Sequence, residues 1–248
     1  MKLKDIKTYY INLDEDIDRN LKIKQFLDDN HFSNYERFSG IRGKHFSKDL
    51  SSIVGCAMSH LSILKNAPED VFLILEDDAL PTTWFDPNYE INLDNIDALY
   101  LGISMWARED PSVFTESQKF KELPEVNRHL YYNYINHQKF IKNYSKSGPY
   151  LVVNQLQNDT RKIENMLATH AILYSSYDFK QRAIQLIEDN LKREIPVHFD
   201  CLYADILQKE YNVYCLDKPP FYQSSSAGVT LFDMDKYEEE VRKHFLGY

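Results

Sequence analysis

The sequence predicts an α/β protein: a parallel or mixed sheet covered by helices on both faces. Strand-like and helix-like segments alternate through the first hundred residues. Val71 to Leu75 (Val-Phe-Leu-Ile-Leu) is an unbroken apolar run of strand length, the pattern of a strand buried on both faces. Ala98 to Ile103 is a second such run. With 248 residues, 43% of them apolar and 27% charged, the chain can bury the core of one large domain, taken as residues 1–248.

The elements follow in order. Lys7 to Leu13 is rich in β-formers and ends at acidic residues suited to starting a helix. Ile17, Leu21, Ile23, Phe26 and Leu27 recur at mostly helical spacing, which predicts a helix over 17–27. Tyr35 to Phe38 is a short strand closed by Gly40 and Gly43. Ser52 to Asn66 reads as a buried helix through Val54, Met58, Leu61 and Leu64, with Pro68 beyond its end. From about Arg108 to Asp159 (108–160) the pattern weakens into a Tyr-, Asn- and Lys-rich stretch, expected as a long loop excursion over one end of the sheet. Met166 to Ser175 returns as a strand. Tyr177 to Leu191 follows as an amphipathic helix with Phe179, Ala183, Ile184 and Ile187 inward. Pro196 opens a helix running to about Gln208, and Asn212 to Leu216 is a last strand. Residues 233–245 form an expected C-terminal helix with Tyr237, Val241 and Phe245 on one stripe.

Composition excludes several classes. A net charge of −9 disfavours long-range attraction to nucleic acid or to an anionic membrane. No apolar stretch reaches the roughly 18 residues of a membrane span. No charged-then-apolar leader opens the sequence, so a cytoplasmic protein is expected, bacterial or viral in origin. Cys56, Cys201 and Cys215 are odd in number and lack metal-type spacing, so they read as reduced thiols. Most of the 18 Tyr and 14 Phe serve the core, although such rings also stack on sugars and bases. Tyr131, Tyr132 and Tyr134 are open to either reading.

The chemistry concentrates at Glu76-Asp77-Asp78, directly after an apolar strand. In α/β sheets ligands bind at the carboxyl ends of strands. Three adjacent carboxylates repel one another and lose solvation, and a divalent cation offsets both effects. Hard oxygen ligands suit Mn²⁺ or Mg²⁺, which would bridge the diphosphate of a nucleotide. The alternative is a strand ending in solvated carboxylates that cap the next helix.

Around that triplet the chain resembles glycosyltransferase family 25, the bacterial lipooligosaccharide and collagen galactosyltransferases. Tyr10-Ile-Asn-Leu-Asp14 with Asp18-Arg19 is similar to the family's first strand and the Arg-bearing helix after it. Arg37-Phe-Ser-Gly-Ile-Arg-Gly-Lys44 resembles its second strand and glycine turn. Gly55-Cys-Ala-Met-Ser-His60 resembles its Gly-Cys-x-x-Ser-His helix, and Phe72-Leu-Ile-Leu-Glu-Asp-Asp78 its acidic strand. Asp97 to Gly102, Ala168 to Tyr174 and Pro196 to Asp200 resemble later blocks, so the likeness covers roughly 7–104 and 166–225.

The resemblance implies a GT-A-type, Rossmann-like fold and an inverting transfer of galactose or glucose from a UDP-sugar to a hydroxyl, most simply of a glycan. It implies Asp78 and Glu76 as ligands of the cation, with Glu76 or Asp77 contacting metal-bound water or the ribose. His170 would be an added polar contact or a further metal ligand, because the family has a Gly-Thr-rich turn where this chain has Ala168-Thr169-His170. Asp200 is the candidate base for the acceptor hydroxyl, or else a helix N-cap. Asn12, Leu13 and Arg19 would hold uracil, ribose or phosphate, unless Arg19 is a solvated partner of Asp14 or Asp16. His60 would hydrogen-bond the donor or orient an acidic residue, or be a core histidine. Gln223 and Ser224 to Ser226 occupy the place of a closing loop. Two other readings stay open: an inactive fold serving as an interaction module, and another metal-dependent transferase that uses nucleotides.

Overall fold

The computed structural model describes residues 1–44, 48–103, 151–157, 159–164, 166–226, 229–230 and 233–242. β1 (Lys7–Asn12), α1 (Ile17–Asp29), β2 (Tyr35–Ser39), α2 (Lys48–Asn66) and β3 (Phe72–Glu76) open the chain. β1 pairs in parallel with both β2 and β3. The chain therefore steps to one side of β1 and then returns past it. Right-handed crossovers in opposite directions put their helices on opposite faces. The core divides accordingly. Ala57, Ile63 and Leu64 of α2 pack with Phe72 and Ile74, whereas Ile23 and Leu27 of α1 pack with Leu73 and Leu75. A period of two along β3 sends alternate side chains into the two layers.

The sheet continues through β5 (Ala98–Tyr100), β6 (Leu151–Gln157), β7 (Thr160–Glu164), β8 (Ala171–Tyr174) and β9 (Val213–Leu216). Among the described residues its order is β2-β1-β3-β8-β5-β9-β7-β6, with β8 antiparallel to both neighbours and β9 parallel to β5. The same alternation holds here. Tyr100, Ile172, Tyr174 and Cys215 join the α2 layer, and Leu99, Leu173 and Tyr214 the other. The expected α/β class, a mixed sheet with helices on both faces, is the one adopted. Beside it β4 (Ala79–Pro81) pairs antiparallel with β10 (Phe221–Gln223), which sets Gln223 opposite Ala79. Among the described residues no helix is long and apolar enough to cross a membrane.

α3 (Tyr177–Leu191) has the expected bounds and buries Phe179, Ala183 and Ile187. Other expectations need correction. Ile17 and Leu21 are 62% and 59% exposed. They lie on one stripe of α1 and Ile23 and Leu27 on another about a third of the way round the helix, so turning the second pair to the sheet leaves the first outside. The 108–160 excursion is not loop throughout, since β6 and β7 form a hairpin on the sheet edge. Thr160 to Glu164 carries a single large apolar residue, Ile163, and so gives little strand signal; pairing with β9 is what places it. Residues 104–150, including Tyr131, Tyr132 and Tyr134, lie outside the described residues. The strand expected from Met166 begins only at Ala171, after Ala168 at φ 72, a left-handed conformation that ends extended pairing. The helix after Pro196 is broken into α4 (Phe199–Leu202), a π turn (Tyr203–Leu207) and α5 (Gln208–Glu210). α6 (Met234–Val241) is N-capped by Asp233, whose side chain accepts from Lys236 N, and it buries Tyr237 and Val241. Phe245 lies outside the described residues.

Candidate active site

The carboxyl ends of β1, β3 and β5 and the amino end of β8 share one rim of the sheet. The connections leaving β1 and β3 diverge there, which is where α/β sheets open a crevice. The three acidic residues part at this rim. Glu76 continues the series of Phe72 and Ile74 toward α2, and Asp77 turns to the α1 side.

Glu76 Oε1 lies 3.2 Å from His60 Nε2, accepts from Thr169 Oγ1 at 3.0 Å, and is 3.9 Å from the Cys56 thiol. Cys56 and His60 stand one turn apart on α2 and so share its inward edge. Gly55 and Ser59 share the next edge, and their role is docking. The Ser59 hydroxyl accepts from Ile41 N and donates to Gly55 O, both at 2.8 Å, and a Cβ on Gly55 would overlap Ile41 O. The Gly-Cys-x-x-Ser-His segment thus fixes the turn after β2 with one pair of residues and faces the rim with the other.

Asp77 accepts from Asn12 Nδ2 at 2.7 Å and Arg19 Nη1 at 3.1 Å. Burial pushes its carboxyl up, and those two partners work against it. Asn12 was expected to touch a nucleotide. It is instead buried with its polar atoms spent: Nδ2 also donates to Asp16 O, and Oδ1 accepts from Arg37 Nε. Its work is to hold Asp77. Leu13 packs on Gly40. Arg19 pairs with Asp77 rather than Asp14, which is held by Arg37 at 2.6 Å.

Asp78 is the member with spare capacity. Its Oδ2 accepts from Gln223 Nε2 at 3.2 Å, and its main-chain oxygen takes Ser224 N and Oγ at 3.1 and 3.2 Å. Its Oδ1 is buried and has no hydrogen-bond partner among the described residues. Burial, then the charges of Glu76 and Asp77, push this carboxyl well above the ordinary range. Asp200 repeats the pattern: Oδ2 accepts from Ala168 N at 3.1 Å and Oδ1 is buried and unpartnered. It is not the helix N-cap; His198 holds that position and Asp200 sits in the first turn.

His170 stands across from Glu76 just before β8, and its backbone oxygen accepts from Glu76 N at 2.8 Å. Its ring is fully buried, neither nitrogen has a hydrogen-bond partner among the described residues, and Nε2 fills the space that a Cβ on Gly102 would need. Burial holds the imidazole at about 4, against a smaller opposite pull from Glu76, so it is neutral at pH 7. His170, Glu76 and Asp78, the expected ligands of one cation, do not converge as one cluster among the described residues. Among the described residues the metal-capable groups that converge are Cys56, His60 and Glu76. His170 is not among them, and its Nε2 lies against Gly102.

Sequence reasoning missed Cys56, Thr169 and Gly102 at this rim. The i, i+4 spacing of Cys56 and His60 and a glycine at a strand end were the available signals. A separate cavity of about 250 Å³, lined by Tyr89, Ile91, Asn92, Ile96, Leu99 and Leu216 among others, contains none of these residues.

No protein-family model and no curated protein matches this chain in sequence. Among solved structures, a UDP-glucose pyrophosphorylase complexed with UDP-glucose is similar over 98% of this chain and 82% of that one, at 10% identity and a TM-score of 0.36. So distant a likeness carries no statement about what this chain binds.

Proposed function

We propose that this protein is an inverting, divalent-cation-dependent glycosyltransferase that moves a hexose from a UDP-sugar to a hydroxyl of a glycan. The observation that carries this reading is Asp78: a buried carboxylate oxygen without a partner, beside the charges of Glu76 and Asp77, at the carboxyl rim of the sheet. Surplus negative charge out of water fits a cation, and carboxylate oxygen suits Mn²⁺ or Mg²⁺. When bound there, such an ion supplies charge neutralisation to a departing diphosphate. Gln223 and Ser224 fix Asp78 so that Oδ1 stays presented. Arg19, in the first turn of α1, adds positive charge where a helix amino terminus already favours an anion. Asp200 Oδ1 accepts the proton of the acceptor hydroxyl, and the Ala168 N–H keeps the other oxygen in place. The UDP-sugar, the hexose, the glycan and inversion come from the sequence resemblance; the cation and the base are supported by the geometry as well.

The test is calorimetric titration of UDP and a panel of UDP-hexoses with Mn²⁺, followed by product analysis. Asp78→Asn is expected to lose Mn²⁺-dependent UDP binding by tenfold or more. Asp200→Asn is expected to keep donor binding and lose about 10²–10⁴-fold in transfer. Unchanged turnover in Asp78→Asn would refute the cation's placement. Release of pyrophosphate in place of a glycosylated product would assign a nucleotidyl transfer instead.

A further inference from the structure

The inward edge of α2 brings together a set of donors that hard-cation chemistry does not need. We propose a second metal site, for a zinc-class transition-metal ion, built from Cys56, His60 and Glu76 on the α2 face of the sheet rim. One ligand atom from each of the three lies within 4.8 Å of the others. In a tetrahedral zinc centre, bonds of about 2.3 Å to sulfur and 2.0–2.2 Å to nitrogen and oxygen give N–O and S–O edges of about 3.4 and 3.6 Å. The corresponding distances here are 3.2 Å from His60 Nε2 to Glu76 Oε1 and 3.9 Å from Cys56 Sγ to the same oxygen. Each of these two edges is within a few tenths of an ångström of the tetrahedral value, and the third, between the Cys56 and His60 ligand atoms, is within 4.8 Å.

The donor chemistry selects the ion. Thiolate, imidazole and carboxylate together suit zinc or cobalt(II), whereas Mn²⁺ and Mg²⁺ prefer all-oxygen surroundings. The scaffold is rigid where it needs to be: two ligands sit a turn apart on one helix, the third ends a central strand, and the Phe199 ring packs on the His60 imidazole at 4.8 Å. Burial, and after it the charges of Glu76, Asp200 and Asp78, push the Cys56 thiol well up. On binding, the thiol proton leaves to solvent and the imidazole coordinates through Nε2 with its own proton on Nδ1. The dication offsets the new thiolate charge. Three protein ligands leave a fourth position open, as in zinc sites that hold water. This site is distinct from Asp78 Oδ1, so it does not depend on the glycosyltransferase reading.

The experiment is a Co²⁺ titration of the full-length, metal-stripped protein followed by absorbance. At one equivalent the expected spectrum has a near-ultraviolet thiolate-to-cobalt band and visible bands of tetrahedral intensity, displaced by Zn²⁺ but not by Mg²⁺. Cys56→Ser is expected to abolish the thiolate band and weaken Zn²⁺ binding at least tenfold. Asp78→Asn is expected to keep the band, which separates this site from the proposed donor cation. A wild-type spectrum lacking the thiolate band overturns the proposal without recourse to any variant. A band that survives in Cys56→Ser also overturns it, assigning the thiolate to Cys201 or Cys215.

Discussion

Lowering the pH from neutral protonates His170 in the unfolded chain well before it does so in the folded one. An unfolded imidazole titrates near 6.5, and burial holds His170 at about 4. Between those values the unfolded state binds more protons, so stability is lost as the pH falls. The gap, 6.5 − 4 or about 2.5 units, corresponds to about 3 kcal/mol in full and to about 2 kcal/mol by roughly pH 4.5. Asp78 acts in the opposite sense over the same range. Its carboxyl is raised in the folded state, so its contribution is fully present below its unfolded value and is lost as the pH rises. The wild-type curve therefore mixes two slopes. The informative quantity is the difference between wild type and His170→Gln, measured by urea unfolding with a chelator present, because both proteins share Asp78. That difference should change by about 2 kcal/mol between neutral and roughly pH 4.5, with wild type losing more on acidification. Curves that stay parallel within about 0.5 kcal/mol would mean that the folded imidazole titrates as freely as the unfolded one. The burial argument would then fail.

Gly102→Ala should cost about 1–3 kcal/mol, because its Cβ overlaps His170 Nε2 and the ring has no room to withdraw. In a His170→Ala background the same change should cost less than about 0.5 kcal/mol; equal costs in a double-mutant cycle would show that the two do not touch. Ala168→Gly should stabilise by up to about 1 kcal/mol, since alanine at φ 72 carries backbone strain that glycine does not. The thermal midpoint should rise by about 2–4 °C, and a fall would show that relief of strain at φ 72 is outweighed by the extra backbone freedom of glycine, since the N–H that Asp200 accepts from is kept.

What the sequence disclosed about the fold was what pattern alone determines. Phe72 to Leu75 are buried on both faces, and continuous apolarity announces that directly. The limits of α3 are equally plain, because Ser176 stands at its N-cap and the apolar spacing is clean. The hairpin of β6 and β7 was not legible, since its strands owe their place to β9. The stripe on α1 was misread because two apolar pairs compete for one buried face and only tertiary contact chooses between them. At the site, the position of the acidic residues was legible from their place after a central strand. The office of Asn12 was not. Its type and position suit a ligand contact, and only the bonds to Asp77, Asp16 and Arg37 reveal that it has no polar atom to spare.

The division of the acidic triplet follows from strand geometry. Consecutive residues at the end of a strand point to opposite faces, so three adjacent carboxylates cannot all turn toward one ion. Glu76 is drawn to the α2 layer and takes hydrogen bonds from His60 and Thr169; Asp77 is drawn to the α1 layer and takes an amide and a guanidinium. Asp78 lies past the last residue of β3, where the chain has left the pleat, and among the described residues its hydrogen bonds come from the Gln223 amide and the Ser224 hydroxyl and N–H. Arg19 lies against the middle residue, at 3.1 Å from Asp77. The deficit is left at Asp78 and at Asp200, the two carboxylates that each keep one buried oxygen without a partner. Each side chain of the run acquires a separate task, and the one that the fold leaves unsatisfied is the one suited to bind something from outside it.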